Sequence, residues 1–99
     1  LYYSRQIRPA TSDVGIIRRE CTDFITRHRQ QIGQKQIRVN LFFQKKAFIP
    51  YTSGALTYDE FTRMQNNRFA EMIQQWLEQQ ENYEEDTRWK VERIELVIG

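Results

Sequence analysis

Hydrolytic or group-transfer chemistry needs a nucleophile, a base and a stabiliser of developing charge at one point. This 99-residue chain offers one cysteine, Cys21, and one histidine, His28, from which to build such a site. The two lie seven residues apart in a stretch whose apolar spacing is helical, which sets them two turns and about 10 Å apart along the axis. That geometry points to Cys21 as a small buried side chain and to His28 as a helix-face or core-edge residue. Carboxylates cluster only at Asp59-Glu60 and at Glu84-Glu85-Asp86. The first pair suits a helix start, where negative charge is favourable, and the second set a solvated helix exit. Neither has the oxygen-rich turn spacing of a hard-cation site. Small residues at 51–55 (Tyr-Thr-Ser-Gly-Ala) precede a helix as in phosphate loops, yet no Gly-Lys-Ser/Thr opens that helix. The expectation is a non-catalytic domain with no catalytic residue, no metal, no cofactor and no small-molecule substrate.

Basic residues are the better-supplied chemistry. Residues 1–50 carry ten Lys and Arg against three acids, a net +7, whereas residues 51–99 carry five against ten, a net −5. Folded together the halves are expected to neutralise each other; the sharper reading is a basic face that meets phosphates or an acidic partner. Arg18, Arg19 and Arg29 on the first helix, with Arg38, Lys45 and Lys46 on the next strand and loop, form the candidate nucleic-acid set, and Tyr2, Tyr3, Phe42 and Tyr51 offer rings for stacking.

The elements that must carry these residues follow from periodicity. Leu1, Tyr3 and Ile7 alternate against Arg8 in a first strand that Pro9 is expected to end. Thr11, Ser12 and Asp13 supply helix caps, and Ile17, Cys21, Phe24, Ile25 and Ile32 then recur at spacings of three and four until Gly33, placed for a left-handed C-terminal residue. Ile37, Val39, Leu41 and Phe43 alternate with polar neighbours in a second strand. Residues 45–57 lose periodicity and hold Pro50, Ser53 and Gly54, which predicts a long loop. Thr57-Tyr58-Asp59-Glu60 has capping-box spacing and opens one long helix with Phe61, Met64, Phe69, Met72, Ile73, Trp76 and Leu77 on its apolar stripe, its Gln/Glu-rich remainder running to Glu85. In the last strand Trp89 and Val91 share one phase and Ile94, Leu96 and Ile98 the other, which requires a bulge near Arg93. The expected fold is α+β: a β-α-β-α-β domain, its three-stranded sheet covered on one face by two helices, with the first and last strands at the sheet edges.

Length and composition allow one core, built around six Phe, five Tyr and two Trp. The lone cysteine excludes an internal disulfide and fits a reducing compartment. No apolar run reaches a membrane span, so an intracellular domain, in cytoplasm or nucleus, is expected. Residues 1–99 read as a single domain excised from a longer protein.

One longer pattern stands out: the strand Gln36-Ile37-Arg38-Val39-Asn40-Leu41-Phe42-Phe43, a variable loop with Ser53, a helix with Asn66-Asn67-Arg68-Phe69, and a closing Trp89-Lys90-Val91-Glu92-Arg93-Ile94-Glu95-Leu96. From about Lys35 onward this resembles a region near the start of open reading frames in Maverick/Polinton-like DNA transposons of animals, ahead of a protein-primed family-B DNA polymerase. Where that group tends to place Gly-Ser-Gly before the tryptophan, this chain has Asp86-Thr87-Arg88. The resemblance implies a mobile-element or viral setting and an accessory role near DNA, and it carries over no catalytic residue. The functional expectation is an interaction or assembly module with a protein partner or self-association; the alternative is a DNA- or RNA-binding accessory domain that uses the basic N-terminal half.

Overall fold

The computed structural model describes residues 1–44, 46–81, 83–84 and 89–99, with residues 46–48 described by their backbone alone. Lys45, the side chain of Lys46, the Asp86-Thr87-Arg88 stretch and Glu85 lie outside the described residues.

Alternating side chains build four strands: β1 (Tyr2–Thr11), β2 (Ile37–Phe43), β3 (Lys46–Thr52) and β4 (Val91–Ile98). Between them lie α1 (Val14–Arg27), α2 (Arg29–Ile32), α3 (Tyr58–Arg63) and α4 (Asn66–Glu78). The sheet has the order β1-β4-β2-β3, with every neighbouring pair antiparallel. β1 and β2 therefore run parallel on either side of β4, and β3 and β4 run parallel on either side of β2, so two split β-α-β units interlock.

This corrects the expected three-stranded, two-helix domain, although the class remains α+β. The additional strand, β3, lies in the predicted loop. Pro50 hides it, because proline removes a ladder donor and is tolerated only at an edge or a bulge. Here both hold. β3 is an edge strand, and its register with β2 slips between Leu41↔Tyr51 and Phe43↔Lys46, which erases the period of two. The chain stays on β2 beyond β3: the Ser53 hydroxyl accepts from the Val39 N–H at 2.8 Å, and Leu56 exchanges backbone hydrogen bonds with Ile37.

Pro9 does not end β1, which continues along the outer edge to Thr11. The last strand is no edge either. β4 is paired on both sides, Ile94 facing Arg5 of β1 and Leu41 of β2. Its bulge lies where the change of phase requires it, since Phe42↔Arg93 is followed by Phe43↔Val91 and Glu92 is the extra residue.

Both predicted helices are broken. Asp13 caps α1 by accepting from the Ile16 N–H at 3.2 Å, but the first helix is interrupted at His28 before α2 closes on Gly33 at φ 53°. The capping box of Thr57 and Glu60 forms as its spacing predicts. The helix it starts stops at Arg63, however, and Met64 and Gln65 are extended before α4 begins. Arg18 of α1 holds this break open, its Nε and Nη2 donating to the carbonyls of Met64 and Thr62. An unbroken helix would have used those carbonyls internally.

Ile17, Cys21, Phe24 and Ile25 of α1 meet Phe61 of α3, Phe69, Ile73 and Leu77 of α4, and Val39, Leu41, Val91, Ile94 and Leu96 of the sheet in one core. Each such aliphatic or aromatic side chain removed from water contributes about 1.5–3 kcal/mol. Only one face of the sheet is used in this way. Ser4, Gln6, Arg38, Thr52 and Val97, on the opposite face, are exposed.

Candidate nucleic-acid interface

Residues directly opposed across an antiparallel pair point to the same face. The pairs Tyr2↔Val97, Ser4↔Glu95 and Gln6↔Arg93, with Arg38↔Val97, Asn40↔Glu95, Phe42↔Arg93 and Asn40↔Thr52, thus define the face that the helices leave uncovered. Two of its members are buried despite lying there: Phe42 is 8% exposed and Glu95 7%. Each has a specific cover. The Arg93 guanidinium lies over the Phe42 ring, 3.8 Å from its centroid, a cation–π contact. The Glu95 carboxylate accepts from both the Arg93 guanidinium and the Tyr2 hydroxyl.

Tyr2, Glu95, Arg93 and Phe42 therefore form one connected line that crosses β1, β4 and β2 on the open face. Its electrostatics are largely self-contained. The hydrogen bond to Glu95, followed by desolvation and the carboxylate's charge, holds the Tyr2 hydroxyl above the usual tyrosine range, while Arg93 pulls it the other way. Tyr2 remains 59% exposed, so its ring is tethered through the hydroxyl without being covered. Beside Glu95, the Oδ1 of Asn40 is buried with no hydrogen-bond partner among the described residues. Arg38 is exposed on the same face, and Arg8 is exposed one residue beyond the buried Ile7, where the register of β1 with β4 shifts between Gln6 and Thr11.

The sequence-predicted basic set is not brought together. Arg18 is committed to the carbonyls at the end of α3. Arg19 is exposed on α1, and Arg29 on α2 lies 5.0 Å from the centroid of Tyr58. Arg38 is on the far side of the sheet from all three. Lys46 belongs to the β3 edge by its backbone, and Lys45 is outside the described residues. Of the rings proposed for stacking, Tyr2 and Phe42 are on the open face, whereas Tyr3 stacks on His28 at 3.8 Å and Tyr51 packs edge-on against Trp76. Burial pushes the Tyr51 hydroxyl up to about 12.

Among the described residues, the two halves do not neutralise one another through ion pairs: Arg5–Glu20 lies within the first half and Arg93–Glu95 within the second. The helical layer carries both signs: Asp59, Glu60, Glu71 and Glu78 are exposed on α3 and α4 alongside Arg63 and Arg68, and Arg19, Arg27 and Arg29 are exposed on α1 and α2. Sequence reasoning missed Arg93 and Glu95. The signal available was a charged pair at i, i+2 inside a strand, which places both on one face.

Cys21 and His28 form no site. Cys21 is fully buried, and burial raises its thiol well above the ordinary range; His28 is held between Tyr3 and the edge of Phe24. A cleft of about 790 Å³ between the start of α1 and α4 is lined by neither. At 51–55, the Ser53 N–H donates to the Val39 carbonyl and the Ser53 hydroxyl is engaged with Val39 and Gly54, so Ser53 is not free to meet a phosphate.

Fold and face together define a class: an α+β domain whose four-stranded antiparallel sheet is covered by helices on one side and exposes an arginine- and ring-bearing surface on the other. No family model and no curated protein matches the chain. Among solved structures it is similar to a Y-family DNA polymerase chimera, Dbh-Dpo4(243-245)-Dbh, with a TM-score of 0.61 at 14% identity over 96% of this chain and 26% of that one. It is also similar to the Dbh DNA polymerase of an insertion ternary complex, with a TM-score of 0.62 at 14% identity over 99% and 28%. The chain thus spans about a quarter of those polymerases, and what it shares with them is the fold.

Proposed function

We propose that this domain is a non-catalytic nucleic-acid-binding module of a longer protein and that it binds through the open face of its sheet. The observation that carries this reading is the composition of that face. Arg8 and Arg38 are exposed and join no ion pair among the described residues, and Glu95 is already matched by Arg93 and Tyr2, so the surface is left cationic. Phosphates are the ligand such a surface attracts. The shared fold with part of two DNA polymerases supports the same reading, and the resemblance of residues 35–96 to a region ahead of a transposon polymerase, drawn from the sequence pattern alone, implies the same setting. An accessory role beside a polymerase is the setting in which both likenesses meet.

Self-association has one feature in its favour, the ten-residue edge strand β1 with Leu1 and Tyr2 exposed. The exposed Arg8 and Pro9 blunt that edge by charge repulsion and a missing donor, which favours the nucleic-acid reading. The test is direct titration of the 99-residue chain into fluorescently labelled oligonucleotides, followed by anisotropy. Binding that weakens steeply with added salt is expected; no binding at 50 mM salt to single-stranded or duplex probes removes the proposal.

A further inference from the structure

Stacking platforms are useful only to bases whose faces are free. In a duplex each base face is covered by its neighbours, so rings and guanidinium planes on a protein surface select unstacked, single-stranded nucleic acid. The open face has two such surfaces. One is the tethered, exposed ring of Tyr2 on β1; the other is Arg93, laid over Phe42 and gripped by Glu95, with its side chain still 30% exposed. Tyr2 lies two strands and four residues of rise from Phe42, about 16 Å between backbones. No described helix stands on this face to enter a major groove. Arg93 is also oriented unlike a phosphate-reaching arm, because Glu95 and Phe42 fix its plane in advance and reduce the ordering cost of binding.

Resting on the reading of the open face as a nucleic-acid surface, we propose that its ligand is single-stranded nucleic acid, held by stacking of bases on Tyr2 and on the Arg93–Phe42 pair while Arg8 and Arg38 meet phosphates. Glu95 is a positioning residue: it holds both platforms and touches no base.

The test compares four probes of equal length on the unaltered protein: oligo-dT, oligo-U, an abasic sugar–phosphate strand and a duplex. Oligo-dT or oligo-U is expected to bind on the order of tenfold more tightly than the abasic strand, and more tightly than the duplex; the two single strands separate DNA from RNA as the source. Arg93→Lys keeps the charge and loses the plane. It is expected to erase most of the preference for bases, read as the ratio of oligo-dT to abasic-strand affinity, and Tyr2→Leu is expected to erase part of it. An abasic strand that binds as tightly as oligo-dT, or a duplex that binds more tightly, overturns this inference while leaving the proposed function standing. Absence of binding to all four probes removes both. A concentration-dependent dimer that oligonucleotide does not dissociate overturns it as well, by giving the face to a second copy of the chain.

Discussion

The sheet-face reading and the helix-face reading of the basic residues make different demands on salt. Every phosphate neutralised on a single strand contributes about −0.7 to the slope of log K against log salt. With Arg8 and Arg38 meeting phosphates while Arg93 is engaged by Glu95 and Phe42, two contacts give a slope of about −1.4, so affinity should fall roughly sevenfold between 50 and 200 mM salt. In the double variant Arg8→Ala/Arg38→Ala neither contact is left, and the same change of salt should leave affinity nearly unchanged. Both arginines are exposed and neither joins an ion pair among the described residues, so stability should change by less than about 0.5 kcal/mol. The comparison is Arg19→Ala/Arg27→Ala, which strips two exposed charges from α1 and should leave the slope untouched. Anisotropy titrations at four salt concentrations measure all three proteins. If the α1 variant flattens the slope and the sheet variant does not, the assignment of the open face is wrong and the helix face takes its place.

Three further expectations concern the fold that holds this face. Arg18→Met removes the donors that close the end of α3 and should cost about 1–3 kcal/mol, read as a lower urea midpoint at unchanged m-value, with oligonucleotide binding of the folded protein unaltered. Thr57→Ala should cost about 1 kcal/mol through loss of the cap. The backbone and side-chain hydrogen bonds from Thr57 lower the Glu60 carboxyl, so its stabilisation is complete above the ordinary glutamate value of about 4.3 and is lost as pH falls through the lowered one; unfolding of Glu60→Gln beside the parent protein should differ at pH 7 and converge in acid. Cys21, buried and with its thiol raised, should resist a thiol-specific reagent in the native protein and react fully once denatured; rapid native labelling would contradict the packing described for α1.

Features governed by neighbours in the chain were legible from the residues alone. The Thr57–Glu60 box, the Asp13 cap, the left-handed Gly33 and the extra residue at Glu92 each follow from side chains within a few positions of one another. So does the division of β2 into a core side of Ile37, Val39, Leu41 and Phe43 and an outer side of Arg38, Asn40 and Phe42. What escaped was whatever depends on partners far along the chain. β3 is a strand because β2 offers an edge on which Pro50 is harmless, and the second helix breaks because Arg18 arrives from 46 residues away to take the carbonyl of Met64. The candidate interface is the clearest case. Tyr2 and Phe42 carry rings that any reading would mark for stacking, yet the line from Tyr2 through Glu95 and Arg93 to Phe42 exists only once β4 is inserted between β1 and β2. Local sequence sets which way a side chain points from its own strand; the order and register of strands distant in sequence decide what it meets there, and those are settled by the packing of the whole core.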